Sequence, residues 1–465
     1  MRGAVTPLEQ FQLTEQRAID PSTGRPYSYS RFTQSIGAEY FEASTFNQGY
    51  FIQDDFRVNN RLKLNAGLRY EYFGRPSANL NPDLPATGTF PTDSNNIAPR
   101  IGLAFDPAGD GKTVIRAGAG VYYNVLVAQT YNNFLRGNGR DVTNINVTPT
   151  TAGAPVFSRG KVTPPSGIAV ISDVRVMDEE FEDVRVTSWF TTFERELARD
   201  MGLSVTYQGN QARNLPLALN VNLAEAGTLA DGRRRWSTQN RPDPRYGNIF
   251  VSTSIGEQDY NGLVTVLTKR FSKGTSFQLS HHLSKSDGAA FVNDFTGFGV
   301  FTSPSDPLNP EVDRGPSDFD MRQRFTATLV VEPRLPGLKG ALDAVVNGWQ
   351  VSSRIIASDG FRFNATTGQD GNGDTVFNDR PEGQSYNAFE LPAYVTLDLR
   401  LTRMLELGRS RKVELIVEGF NLTNRLNPTN VNRTWGPNAT PNATFNTVTG
   451  AETARQFQLA ARFSF

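Results

Sequence analysis

The chain has 465 residues, its 47 Lys and Arg balanced by 47 Asp and Glu, and it contains no cysteine. That balance leaves no electrostatic footprint for nucleic acid, and the absent thiols exclude disulfides and Cys-based metal or redox chemistry. Mean hydropathy is −0.41 and no run nears the roughly 18–20 apolar residues of a membrane helix. Strands that are apolar on one side only escape that test. The mix of 32 Phe, 14 Tyr and 41 Gly with only 5 Met favours strands and turns over helices.

Residues 1–45 are polar and weakly periodic, and form a poorly defined segment ahead of the unit 46–465; one strand is expected near Arg31–Tyr40. The opening MRGAVTPLEQFQLTEQ lacks the apolar core of a secretory signal, so further residues are expected upstream. Regular alternation begins at Phe46–Val58. After the Asn59-Asn60 turn, Leu62, Leu64, Ala66, Leu68, Tyr70 and Tyr72 alternate with Arg61, Lys63, Asn65, Gly67, Arg69 and Glu71. Strict period two over about twelve residues, with charge on one side, suits a tilted strand crossing a bilayer better than an ordinary soluble strand.

The same unit recurs in pairs. Ile101–Phe105 and Thr113–Tyr123 flank DPAGDGK, Arg185–Leu197 and Leu203–Gln208 flank ARDMG, and Tyr260–Phe271 and Thr275–Leu283 flank SKG. Phe325–Val331 and Trp349–Ala357 flank a longer Pro- and Gly-containing turn, and Val395–Leu401 and Val413–Phe420 flank ELGRSRK. The last strand, RQFQLAARFSF, puts Phe457, Leu459, Ala461, Phe463 and Phe465 on one side and Gln and Arg on the other. Short turns alternate with long polar segments at about 75–96, 124–184, 210–258, 286–320, 359–392 and 422–454. A soluble sandwich has no reason to sort its connections into two length classes. A membrane barrel does, with short periplasmic turns and long extracellular loops. The expected fold is therefore all-β: part of an antiparallel outer-membrane β-barrel of about 13–14 strands.

Little in the chain points to catalysis, and no enzyme activity is expected. The only histidines, His281 and His282, are adjacent and fall on opposite faces of a strand, so they cannot share a metal. Asp54-Asp55 and Glu179-Glu180 read as solvated charge. In QDGNGDTVFNDRP, Asp370, Asn372 and Asp374 alternate with glycines, which suits oxygen ligation of calcium, with Asp379 as a further ligand; a plain Gly/Asp/Asn turn is the competing reading. No other cofactor is expected. Across the 393–421 hairpin, Arg400 is expected to face Glu414 in an inward charge pair. Trp189, Trp236, Trp349 and Trp435, with Tyr70, Tyr72, Tyr122 and Tyr123, include several residues near strand ends, where rings suit interfacial girdles; lining a sugar- or peptide-binding mouth is the competing reading.

GYFIQDDFRVNNRLKLNAGLRYEYFGRP, NNIAPRIGLAFDPAGDGKTVIRAGAGVYYN, DYNGLVTVLTKRFSKGTSFQLSHHLSKS and the ending FQLAARFSF together resemble the barrel of TonB-dependent transporters, nearest their Oar-like branch. The resemblance runs from about Phe46 onward. It implies an outer-membrane receptor that takes up an external ligand of unknown identity with energy from the inner-membrane TonB complex. It further implies that Phe457, Leu459, Phe463 and Phe465 form the signal read by the barrel-insertion machinery. Such transporters have about 22 strands around a plug. A plug-like region and a coupling box are not recognisable here, so a carboxyl-terminal fragment is expected, which would meet TonB only through a missing amino-terminal region. The rival expectations are a passive pore or surface adhesin, and a soluble β-rich glycan-binding protein.

Overall fold

The computed structural model describes residues 7–21, 24–29, 32–38, 41–149, 154–155, 172–289, 303–338, 340–407 and 411–465. Among the described residues thirteen strands build the wall: β1 (Phe46–Arg57), β2 (Leu62–Gly74), β3 (Ile97–Phe105), β4 (Thr113–Asn124), β5 (Val184–Ala198), β6 (Met201–Asn220), β7 (Ile249–Ser272), β8 (Thr275–Gly288), β9 (Gln323–Val331), β10 (Trp349–Ser358), β11 (Tyr394–Glu406), β12 (Lys412–Phe420) and β13 (Gln456–Ser464). Each pairs antiparallel with its sequence neighbour, giving one continuous meander. All thirteen coincide with segments of period-two alternation.

Register carries that alternation across the sheet. Directly opposed positions run Phe56, Leu64, Leu103, Ala117, Thr191, Tyr207, Leu263, Leu283 from β1 to β8. On the far side they run Val331, Val351, Leu401, Val417, Leu459 from β9 to β13. One residue along, the row reads Asp55, Asn65, Gly102, Gly118, Phe190, Gln208, Gly262, Ser284. A slip of one position in any strand would exchange the two faces, so this single register fixes an apolar outer face and a polar inner one. Asp54 interrupts the outer row on the edge strand β1, with one of its carboxylate oxygens accepting from the Asp55 N–H at 2.7 Å.

Among the described residues nothing joins β1 to β13. Both run from the long loops toward the short turns, so pairing them directly would be parallel in an otherwise antiparallel wall. Antiparallel closure needs an odd number of intervening strands.

The segment expected to give a fourteenth wall strand does not do so. Phe32–Gly37 instead pairs with Val142–Val147 among the loops, while Arg31, Glu39 and Tyr40 lie outside the described residues. The segment is too short and too polar to present a full lipid face. Ahead of it, Pro7–Glu15 is an α-helix, which weak strand periodicity had not suggested. The segment 210–258, read as a loop, is another correction. β6 and β7 continue well beyond the wall as a paired extension, with irregularities at Ala212–Leu215 and Leu215–Leu217 and Asn214 at φ 61°. Leu215, Leu217 and Ile249 are buried there, and Val174–Met177 adds to β7 in parallel.

Candidate functional site

Two surfaces can meet a ligand: the inner face of the wall and the end formed by the long loops. The inner face carries charge pairs, including Lys63–Asp55 at 3.2 Å and Arg116–Glu194 at 3.1 Å. Arg400 lies opposite Glu418, at 3.6 Å, while Glu414 lies opposite Met404 and pairs with Lys412 at 2.7 Å and Arg462 at 4.0 Å. The expected Arg400–Glu414 pair is thus corrected by four residues along the strand, with Ile416 at the same-face position between the two glutamates. All five charged groups share the inner face, but the hairpin folds symmetrically, with Leu405 opposite Val413, which carries Arg400 to Glu418.

On β1–β6 the inner face sinks into a hollow of about 580 Å³. Gly67, Gly102, Gly118 and Gly120 form its floor, and Gln53, Asn65, Arg100, Tyr122, Phe190 and Gln208 its walls. The Phe190 ring lies over Gly118, where an added Cβ would meet it at 2.7 Å. The Arg100 guanidinium lies 4.6 Å from the centre of the Tyr122 ring. Glycine at inner positions strips side chains from the pleat, so a ligand or another backbone can approach the sheet closely. The spacing GLAFD…AGAGVYY carried that signal, but only the register shows that these glycines share one face. His281 and His282 point to opposite faces, as their adjacency requires.

The loops are not the solvated segments their composition suggests. Tyr131, Phe134, Met177 and Phe181 form one buried cluster, Val174, Val176, Tyr246 and Ile249 a second, and Phe363, Leu391 and Val431 a third. Buried ion pairs join loops distant in sequence. Arg75 meets Asp183 at 3.0 Å with side chains 1% and 2% exposed, and Arg380 meets Asp313. Asp183 also accepts from Asn96 at 2.9 Å, and burial raises its pKa despite Arg75. Of the expected girdle residues, Trp189, Trp349, Tyr70, Tyr72 and Tyr123 fall in the outer register, whereas Tyr122 faces inward. Trp236 is buried among the loops, and Trp435 packs on Phe389 and Phe445 with ring centres 5.7 and 5.0 Å apart.

In the 370–379 loop the side-chain oxygens cap their own backbone. Asp370 accepts from Gly373 at 2.7 Å and Thr375 at 3.0 Å, Asn372 from Asp374 at 2.9 Å, Asp374 from Val376 at 2.7 Å, and Asp379 from Gly371 at 2.8 Å. Among the described residues no group of three or more His, Cys, Asp or Glu is arranged to hold a metal ion. Burial pushes the Asp374 carboxyl up to about 7, with the charges of Asp379 and Asp370 adding to it.

The raised Asp374 has a consequence for pH. Its proton is held to about pH 7 in the folded loop but released near 3.8 once the loop opens. Across that interval the folded loop binds more protons, so its stability is greatest below the lower value and falls as pH rises toward 7. Trp236 is buried and donates its backbone N–H to Asn372 O at 2.6 Å, so its emission reports opening. The emission is expected to shift to the red between pH 5 and 8 on mild denaturation, and Asp374→Asn is expected to flatten the dependence. An unchanged profile in that variant would assign the dependence to another group.

The family model for the outer membrane beta barrel domain matches residues 10–388. The chain therefore belongs to the outer membrane beta barrel domain family, and it resides in the outer membrane. No curated protein matches it. Among solved structures it is similar to the outer membrane transporter YddB from Escherichia coli, at 11% identity and a TM-score of 0.52, over 90% of this chain and 45% of that one. It is similar also to the FrpB iron transporter from Neisseria meningitidis, at 12% identity and a TM-score of 0.50, over 91% and 46%. At such identities the likeness is one of fold, and the chain spans about half the length of these transporters. No described helix is long and apolar enough to cross a membrane.

Proposed function

We propose that the chain is wall and ligand-facing loops of a TonB-dependent, Oar-like outer-membrane receptor that takes up an external nutrient or macromolecular ligand. The observation that carries this reading is the two-faced register: one apolar face and one polar face kept across thirteen strands, with the folded loops gathered at one end. The short turns then lie in the periplasm and the loops outside. Ligand would first meet the loops and then pass the inner face, and no catalytic step is assigned. Similarity of fold to a named iron transporter supports transport as the class of activity without naming this chain's ligand.

The test compares cells with and without the gene, each with TonB present or deleted, for depletion of small molecules and peptides from the medium. Depletion that needs both the gene and TonB is expected. Depletion that needs the gene but persists without TonB would replace this reading with a passive pore, and surface attachment without depletion would replace it with an adhesin.

For the loop of Asp370, Asn372, Asp374 and Asp379 we propose the turn over the calcium site, because the oxygens already accept from backbone N–H groups. Calcium titration is expected to leave melting temperature and loop proteolysis unchanged. A rise in either protection with calcium would restore the metal reading.

A further inference from the structure

Five of the six turns run from two residues (199–200) to seven (106–112), whereas the turn between β9 and β10 occupies 332–348. That excursion is built rather than slack. Asn347 clamps its two ends, accepting from the Leu335 N–H at 2.8 Å and donating to Leu335 O at 3.0 Å. Within the clamp lies a short helix, Ala341–Val346, entered through Gly340 at φ 62°. Its Leu342 and Val345, three apart and so on one side, are 67% and 68% exposed, and Leu335 is 57% exposed. Large aliphatic side chains this exposed on an ordered turn call for a cover.

The cover is indicated by what adjoins them. Trp349 begins β10 in the outer register, opposite Arg403 of β11. Its indole N–H donates to Val345 O at 2.8 Å, fastening the helix to the ring. The Arg403 guanidinium lies 5.3 Å from the ring centre and donates to Asn347 O. Above this pair on the same face come Val351 and Leu401, then Ser353 and Leu399. The exposed Leu342 and Val345 thus sit on a helix fastened at the rim of the lipid-facing band, beside an indole and an arginine, the residue types that settle at headgroup level.

We infer that the described part of this excursion, 332–338 and 340–348, is an interfacial anchor: Leu342 and Val345, with Leu335, seat in the phospholipid surface next to Trp349. It rests on the reading that the outer face of the wall meets lipid. An element of this kind lies in the membrane plane with its apolar side about 5–10 Å into the headgroup and acyl boundary. It would hold this side of the wall at a fixed height without spanning anything.

The absence of cysteine makes the test direct. Leu342→Cys, Val345→Cys, the wall control Leu329→Cys and the turn control Ala108→Cys are made in the full chain, each labelled with a polarity-sensitive fluorophore. After circular dichroism confirms strand content, the proteins are placed in phosphatidylethanolamine–phosphatidylglycerol vesicles containing lipids brominated high on the acyl chain. Labels at 342 and 345 are expected to be quenched several-fold more than the label at 108. Quenching at 329 with 342 and 345 behaving like 108 overturns the anchor alone. Absence of quenching at 329 as well overturns the lipid-facing wall and the anchor with it. Labels at 342 and 345 that are shielded in native outer membranes but open to water in the vesicles would assign the cover to a protein and overturn the lipid proposal.

Discussion

Leu68→Arg is expected to cost about 2–4 kcal/mol of folding stability in a bilayer, the penalty of a cationic side chain on the lipid face of a barrel near the midplane. Leu68 sits at the middle of β2 in the outer register, between Ile52 and Pro99, and is half exposed. An arginine there has no inner-face carboxylate within reach; the one outer-face carboxylate nearby is Asp54, diagonally across the β1–β2 pair, and otherwise the charge must be drawn toward a headgroup along the strand. Asn65→Arg, on the inner face beside Asp55, is expected to cost far less, because the new cation enters a polar row and finds a carboxylate next to it. Urea titration of the two variants refolded into liposomes measures the difference. Equal losses would mean that the two faces meet the same solvent.

The second large effect is expected outside the membrane. Asp183→Ala removes one half of an ion pair that is almost wholly buried, leaving Arg75 with its charge against the Phe181 ring and no carboxylate. Stranding a buried charge in this way costs about 3–5 kcal/mol, more than the intact pair contributes, because desolvation is no longer offset. Asp183 also accepts from Asn96, and its backbone N–H donates to Asp93 at 3.0 Å, so both ends of the 75–96 loop meet the 125–183 loop at this residue. The expected readout is a large gain in proteolysis within 75–96 and 125–183, with strand content unchanged by circular dichroism. Replacing both partners with apolar residues, Arg75→Met with Asp183→Leu, is expected to recover much of the loss. If the single variant leaves the loops as resistant as before, they are held by their apolar clusters alone.

Both expectations follow from one division within the molecule. The wall stands on backbone pairing and buries little, which is why its outer side chains, such as Leu459 and Phe465, are left exposed in the isolated chain. The loops hold the packed apolar clusters and the buried ion pairs. Stability of the wall should thus depend on the bilayer, and stability of the loop end on the protein's own packing.

The sequence alone determined the wall. Alternation at period two is a local property, fixed by which side of the pleat each residue occupies, so Leu62–Tyr72 or Gln456–Ser464 can be read without knowing any neighbour. The sorting of connections into short and long is likewise legible along the chain. Tertiary structure alone decided what depends on residues far apart in sequence. Phe32–Gly37 alternates as a strand, yet its partner is Val142–Val147, and no local pattern says so. Arg75 and Asp183 are 108 residues apart and find each other only because β1–β5 bring their loops together. Arg400 could be placed on the correct face from alternation, but its pairing with Glu418 depended on the centre of the turn. The glycine floor needed three strands in register before Gly67, Gly102, Gly118 and Gly120 became one surface. A strand's faces are set by its own pleat, whereas its partners are set by where other strands end.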